Sequence, residues 1–136
     1  MPVENFDGDA GTCGCLAGMD VPGYQIEGPI GFGADGVTWL GRDGDGRAVA
    51  IRALGAAAPE RHRLRMGRLQ RLTTASNPHL ATLREVVATG SDGAVVVSEA
   101  VPGPTLATVR VGRGGLRIAE ATKVGAELAS ALRDLH

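Results

Sequence analysis

The apolar and polar positions in the first half of the chain alternate in short runs that predict β-strands. Tyr24–Gly31 is the first predicted strand, and the β-branched and aromatic run Val37–Leu40 is the second. Asp43–Gly46 follows and predicts a hairpin turn, because glycine and aspartate tolerate positive φ angles. Ala48–Leu54, which is apolar except at Arg52, is the third predicted strand.

The second half of the chain predicts a helix and then two further strands. Pro59–Leu72 is the predicted helix, since proline is tolerated in a first turn and Glu60 suits the positive end of the helix dipole. Leu83–Thr89 and Ala94–Ala100 are the fourth and fifth predicted strands, on either side of the turn Ser91–Gly93.

Residues 117–136 have the clearest helical pattern, after a proline-glycine connector and a short helical turn at Thr105–Val109. Their apolar positions share one helix face: Ala121, Val124, Gly125, Leu128, Leu132 and Leu135. The predicted order is β-β-β-α-β-β-α. This is an α+β fold, a five-stranded antiparallel sheet with one packed helix and a C-terminal helix.

Composition and charge exclude several classes of protein. The chain has 136 residues, 43% of them hydrophobic, so one folded domain is expected and disorder throughout is excluded. Only four residues are aromatic and the net charge is −1, so neither nucleic acid nor a membrane is an expected partner. No apolar run is long enough for a transmembrane helix and the first residues lack a signal peptide, so we expect a cytoplasmic protein.

Two polar regions of the sequence, the first 21 residues and the arginines of the predicted helix, carry no signal of a specific function. Residues 1–21 lack periodicity and are predicted to be a disordered leader. Cys13 and Cys15 lie in it with no histidine or further cysteine nearby to complete a metal site, so we interpret them as free thiols. The arginines of the Pro59–Leu72 helix are spread over several faces, which favours a solvated basic surface over a nucleic-acid site.

A glycine motif lies between the first two predicted strands. Gly31-Phe-Gly33-Ala-Asp-Gly36 matches the pattern G-x-G-x-x-G, which several folds use. In a dinucleotide-binding fold the third glycine opens a helix. Here the strand Val37–Leu40 follows, which excludes a βαβ unit. A glycine loop between antiparallel strands instead resembles the flap that covers the nucleotide phosphates in protein kinases.

Four further motifs resemble the same family at the expected spacings. Val49-Ala-Ile-Arg52 stands where the family has Val-Ala-Ile-Lys, and Asn77-Pro-His-Leu80 resembles the turn after its regulatory helix. Residues 95–106 resemble its fifth strand and hinge, and residues 129–136 resemble the end of its first large-lobe helix. The chain thus resembles a bacterial serine/threonine protein kinase-like small lobe at 22–101. Residues 102–136 would supply the hinge, a short helix and the first large-lobe helix.

The resemblance implies a site for ATP, bound weakly, with Mg²⁺ entering only through the nucleotide. Within it, Ser98 would be the gatekeeper and residues 99–101 the stretch that faces the adenine, which Val37 or Ile30 and Ala50 would also contact. The candidate nucleotide-binding residues are Ile30, Gly31, Phe32, Gly33, Ala34, Asp35, Gly36, Thr38, Ala50, Arg52, Ser98, Glu99 and Val101.

Two departures from the family pattern bear on activity. The third-strand lysine that holds the α- and β-phosphates in the family is Arg52 here, which keeps the charge but presents a larger planar fork of donors. The helix glutamate that positions this lysine is not found. Glu60 lies too near the helix start, and Arg65 falls at the expected position, where it would either repel Arg52 or point to solvent.

These observations leave two functions open. The family's catalytic loop and metal-binding motifs would follow residue 136, so no catalytic residue is assigned and this chain alone is expected to be inactive. The three loop glycines favour an ATP-binding small lobe. Arg52 and the negative charge of Asp35 favour a pseudokinase-type protein-interaction module without nucleotide. The apolar face of residues 117–136 is expected to dock on the small lobe, to pair with another chain as a site of self-association or protein binding, or to fray.

Overall fold

The computed structural model describes residues 21–33, 36–90 and 92–136. Most of the predicted leader, with Cys13 and Cys15, lies outside these residues, as do Ala34, Asp35 and Ser91. The elements are β1 (Gln25–Gly33), β2 (Gly36–Arg42), β3 (Ala48–Leu54), α1 (Pro59–Leu72), β4 (Leu83–Thr89), β5 (Gly93–Glu99), α2 (Leu106–Arg113) and α3 (Ile118–Leu135). The α+β class is confirmed, the order of elements is the predicted one apart from the additional helix α2, and the bounds of β3, α1 and β4 are those predicted.

The five strands form one antiparallel sheet in the order β1-β2-β3-β5-β4. Three hairpins supply the β1–β2, β2–β3 and β4–β5 pairs, while α1 carries the chain from β3 across to the outer strand β4. β5 therefore returns to pair with β3 at the centre of the sheet, with Ile51 opposite Val97.

The core lies on one face of the sheet, because side chains alternate between faces along each strand. Val49 and Ile51 of β3 and Val95 and Val97 of β5 are buried, and Trp39 of β2 packs against them. Burial of one such aliphatic side chain contributes roughly 1.5–3 kcal/mol, so these central strands supply much of the stability.

Residues at two positions complete this core. Val21, which the predicted leader includes, is buried in the core cluster. Gly41 lies beneath Ile51: a Cβ atom there would stand 2.8 Å from the Ile51 Cδ1 atom and 2.9 Å from the carbonyl oxygen of Gln25. Only glycine leaves room for this close packing.

Two side-chain contacts connect opposite ends of the sheet. Arg84 on the outer strand β4 donates to the Asp43 carboxylate in the β2–β3 turn at 2.6 Å. The hydroxyl of Tyr24, just before β1, donates to Glu85 of β4 at 2.9 Å. Since β1 and β4 are the two edges of the sheet, these contacts show that the sheet curves around its core.

The same contacts shift the acidity of the groups involved. The backbone N–H of Arg47 donates to Asp43 at 2.8 Å and lowers its pKa below the usual aspartate value, and Arg84 adds to this effect. Burial raises the pKa of Tyr24, and its hydrogen bond to the Glu85 carboxylate raises it further. Asp43 is therefore held in its charged form, in which it organises the β2–β3 turn.

The expected helical turn at Thr105–Val109 is the eight-residue helix α2, one helix more than predicted. Its start is capped by the Thr105 hydroxyl, which accepts from the Thr108 N–H at 3.1 Å. It ends at Gly114, whose φ of 83° is readily adopted only by glycine. At the start of α3 the Glu120 carboxylate accepts from the Arg117 N–H at 2.9 Å, and this bond lowers the pKa of Glu120.

Helix α3 docks on the loop that follows α1. Ala131 is buried, and the Asn77 side-chain amide donates to Asp134 at 2.5 Å and to Ser130 at 3.4 Å. Leu128 and Leu132 remain 56% and 55% exposed. Of the expected outcomes for this segment the structure shows docking, although part of its apolar face is left uncovered. In the part of the chain that the structure describes, no helix is both long and apolar enough to cross a membrane.

Candidate functional site

The glycine motif forms the closed end of the β1–β2 hairpin. Gly33 pairs with Gly36, and Gly36 has a φ of 110°, a conformation that side chains rarely adopt. A strand follows Gly36 directly, so the prediction that this motif does not open a dinucleotide-binding βαβ unit is confirmed. Ala34 and Asp35, which follow Gly33 in the sequence, lie outside the described residues.

A row of paired residues runs from this hairpin across the sheet, on the face opposite the core. Gly31 pairs with Thr38, Thr38 with Arg52, and Arg52 with Val96. The Arg52 Nε atom donates to the Thr38 hydroxyl at 3.2 Å. Among the described residues Arg52 forms no ion pair. Its positive charge therefore lies two strands from Gly31 without a neutralising carboxylate. We call this surface the hairpin face.

The next row of the hairpin face contains two more candidate residues. Ala50 of β3 pairs with Ser98 of β5 and with Leu40 of β2. Ile30, at a register shift in β1, and Val101, beyond β5, are 54% and 67% exposed. The structure thus places the small side chains of Ala50 and Ser98 beside the row that holds Arg52.

Three expected residues do not share the hairpin face. Glu99 pairs with the core residue Val49, so its side chain lies on the core side of the sheet. Phe32 pairs with Val37, and both fall on the same side as Trp39 by the alternation along β2. In this register Thr38, rather than Val37, lies on the hairpin face.

Arg65 of α1 has a role that the sequence did not reveal. Its Nη2 atom donates to the carbonyl oxygens of Gly55 at 2.9 Å and Asp92 at 3.1 Å. The side chain is half-buried, so the alternative that Arg65 points to solvent is wrong. Arg65 fastens α1 to the β3–α1 connection and to the β4–β5 turn. Glu60, the one acid of α1, is exposed in the first turn and forms no ion pair within the described residues.

A groove of about 390 Å³ lies between the loop after α1 and helix α3. Glu99 and Val101 line it together with His79, Glu127 and Leu128. His79 and Glu127 approach to 3.9 Å. In the described part of the chain, no group of three or more His, Cys, Asp or Glu side chains is arranged to hold a metal ion.

No family model and no curated protein matches the sequence. Among solved structures, the chain is similar to the crystal structure of Rad53 1-466 in complex with AMP-PNP, with a TM-score of 0.70 and 16% sequence identity. The match covers 84% of this chain and 30% of that chain. At this identity the likeness establishes the fold. The five-stranded antiparallel sheet with its packed helix has the α+β fold of a protein kinase small lobe.

Proposed function

We propose that this chain is an ATP-binding small lobe of the serine/threonine protein kinase-like type. The observation that carries the proposal is the row Gly31–Thr38–Arg52, in which a glycine hairpin and a guanidinium without an ion pair among the described residues lie on one face of a kinase-type sheet. The similar Rad53 structure was crystallised with AMP-PNP, which supports a nucleotide as the ligand.

The residues of the hairpin face fit the parts of ATP. Gly31 has only the Thr38 Cβ atom near the position of a Cβ, 4.0 Å away, so its backbone is open to a phosphate. The planar guanidinium of Arg52 suits two phosphate oxygens at once. Ala50 is small enough to leave space for an adenine ring, and Ile30 and Val101 supply exposed apolar surface beside it. Bound ATP would bring Mg²⁺ through its own phosphates.

Weak binding and an absence of phosphoryl transfer are part of the proposal. Ile30 and Val101 are more than half exposed, so an adenine between them would stay partly in water. Arg52 has Thr38 as its only side-chain partner in the described residues, and α1 offers Arg65 where a carboxylate would position that cation. Phosphoryl transfer depends on such positioned charges.

Titration calorimetry with Mg-ATP tests the proposal. The parent chain is expected to bind, and Arg52→Ala is expected to bind at least roughly tenfold more weakly, which corresponds to about 1.4 kcal/mol. The matched control is Arg47→Ala, which removes an exposed arginine in the β2–β3 turn and leaves the affinity unchanged. Equal affinity of Arg52→Ala and the parent would contradict the phosphate role. Circular dichroism checks that each variant is folded.

The second candidate function is a protein-interaction module that does not bind nucleotide. Arg65 favours it, because among the described residues this side chain bonds the carbonyl oxygens of Gly55 and Asp92 and contacts His62 of its own helix, and it provides no carboxylate for Arg52. The calorimetry separates the two functions: a folded parent chain that releases no heat with Mg-ATP supports the interaction module.

A further inference from the structure

A groove of about 400 Å³ lies on the surface of α1. We call it the α1 groove, and the residues that line it are Arg61, Leu64, Arg65, Arg68 and Leu69. Leu64 is 55% exposed and Leu69 is half-buried. The two leucines supply an apolar floor, and arginine side chains stand around it.

The charge of α1 is not balanced by the rest of the described chain. The helix has five arginines and one acid. Several other exposed cations have acidic partners, in the pairs Arg42–Glu27, Arg113–Glu120 and Lys123–Glu127, and those without one in the described residues are scattered along the chain and not clustered on one helix. Within residues 21–33, 36–90 and 92–136, by contrast, no side-chain hydrogen bond or ion pair is formed by Arg61, Arg63, Arg68 or Arg71.

This arrangement weakens the helix that carries it. Arg61 and Arg65 are four residues apart, and Arg65, Arg68 and Arg71 follow at intervals of three, so like charges are neighbours along one side of α1. Arg61 also lies in the first turn, near the positive end of the helix dipole. An anionic partner would reduce the repulsion between the arginines and the repulsion between Arg61 and the helix dipole. The described part of the chain reduces neither.

We propose that the α1 groove binds an acidic amphipathic segment of another protein, with an apolar side chain on Leu64 and Leu69 and flanking carboxylates on Arg61 and Arg68. The exposed leucines favour a peptide over nucleic acid, because phosphate contacts make no use of an apolar floor. The chain's net charge of −1 also gives no wider basic field for a polyanion. The groove includes Arg65, which stands at the position expected to face Arg52, but the peptide experiment below uses no nucleotide, so its outcome does not depend on the nucleotide proposal.

Fluorescence anisotropy with three labelled probes tests the proposal. The first is a short helical peptide with leucine at positions i, i+3 and i+7 and glutamate on the flanking positions. The second has serine in place of each leucine, and the third is a short DNA duplex. The full chain is expected to bind the first peptide at least roughly tenfold more tightly than the other two, a ratio that corresponds to about 1.4 kcal/mol.

Variants of the chain localise the binding. Leu64→Ser and the double variant Arg61→Gln/Arg68→Gln are each expected to bind the first peptide at least roughly tenfold more weakly than the parent does. Arg47→Gln/Arg110→Gln removes the same charge from exposed positions outside α1 and is expected to bind like the parent. If the double variant of α1 does not fold, Leu64→Ser decides the outcome. The proposal is overturned if the parent does not bind the leucine peptide, or if the serine peptide or the duplex binds as tightly as the leucine peptide does. It is also overturned if the control variant loses as much affinity for the leucine peptide as the α1 variants do.

Discussion

The replacement Arg65→Ala tests whether one side chain fastens α1 to the sheet. In the parent, Arg65 Nη2 donates to the carbonyl oxygens of Gly55 and Asp92 at 2.9 and 3.1 Å. The Ala57 N–H donates to the same Asp92 oxygen at 3.3 Å. Alanine at position 65 removes both arginine bonds and leaves α1 attached to the sheet by the packing of its inner side chains against β4.

The expected loss of stability follows from these contacts. A hydrogen bond to a charged group contributes about 1.5–3 kcal/mol, and because Arg65 is half-buried the lower value applies to each of its two bonds. The Arg65 Nε atom is buried without a partner among the described residues, and removing it relieves a cost of about 1 kcal/mol. The net loss is therefore about 2 kcal/mol, which lowers Tm by about 7 °C in a domain of this size.

Urea and thermal unfolding, followed by circular dichroism, measure this loss. Arg63→Ala is the matched control: it removes an arginine from the same helix, but this one is exposed and makes no hydrogen bond with the described residues. The control is expected to stay within about 0.5 kcal/mol of the parent. If Arg65→Ala is no less stable than Arg63→Ala, Arg65 does not fasten the helix.

Three further changes have expected outcomes. Gly41→Ala puts a Cβ within 2.8 Å of its nearest neighbour and is expected to cost about 1–3 kcal/mol in urea unfolding, while Gly44→Ala, with nothing within 4 Å, is expected to cost less than 1. Asp43→Asn lowers stability at neutral pH. Because the folded chain lowers the pKa of Asp43, this difference persists above the usual aspartate pKa and vanishes as the pH falls through the lowered value, which unfolding at a series of pH values checks. Leu128→Ser/Leu132→Ser is expected to reduce hydrophobic-dye binding and self-association in sedimentation experiments with little loss of stability, because both leucines are more than half exposed; an unchanged dye signal would contradict an uncovered apolar face.

The sequence predicted those elements whose signals are local. Ala48–Leu54 and Leu83–Thr89 have strand patterns with turn residues at their ends, and Pro59 with Glu60 marks the start of α1, so their bounds agree with the structure. The length of α2 was underestimated, because the prediction ended the helical turn at Val109. Gly114, at which the helix ends, is a stop signal that the sequence itself contains.

The features that were missed depend on contacts between distant residues. The register of β2 against β3, which pairs Thr38 with Arg52 and Trp39 with Ile51, places Val37 on the core side, whereas the sequence left Val37 and Ile30 as alternatives. The partners of Arg65 are brought together by the β3–α1 connection and the β4–β5 turn, which are far apart in the chain. Val21 is buried because the curved sheet closes over it, and no pattern around that residue indicates this.

Chemical-shift mapping by NMR is the most direct test of the central claim, that the hairpin face binds ATP. In a titration of the isotope-labelled chain with Mg-ATP, the account predicts that the largest changes occur at Gly31, Gly36, Thr38 and Arg52. These residues form the hairpin and the row beneath it. The exposed residues of α1 are expected to change little. Saturating Mg-ATP that leaves the hairpin resonances unmoved, or that moves those of α1 instead, would contradict the account.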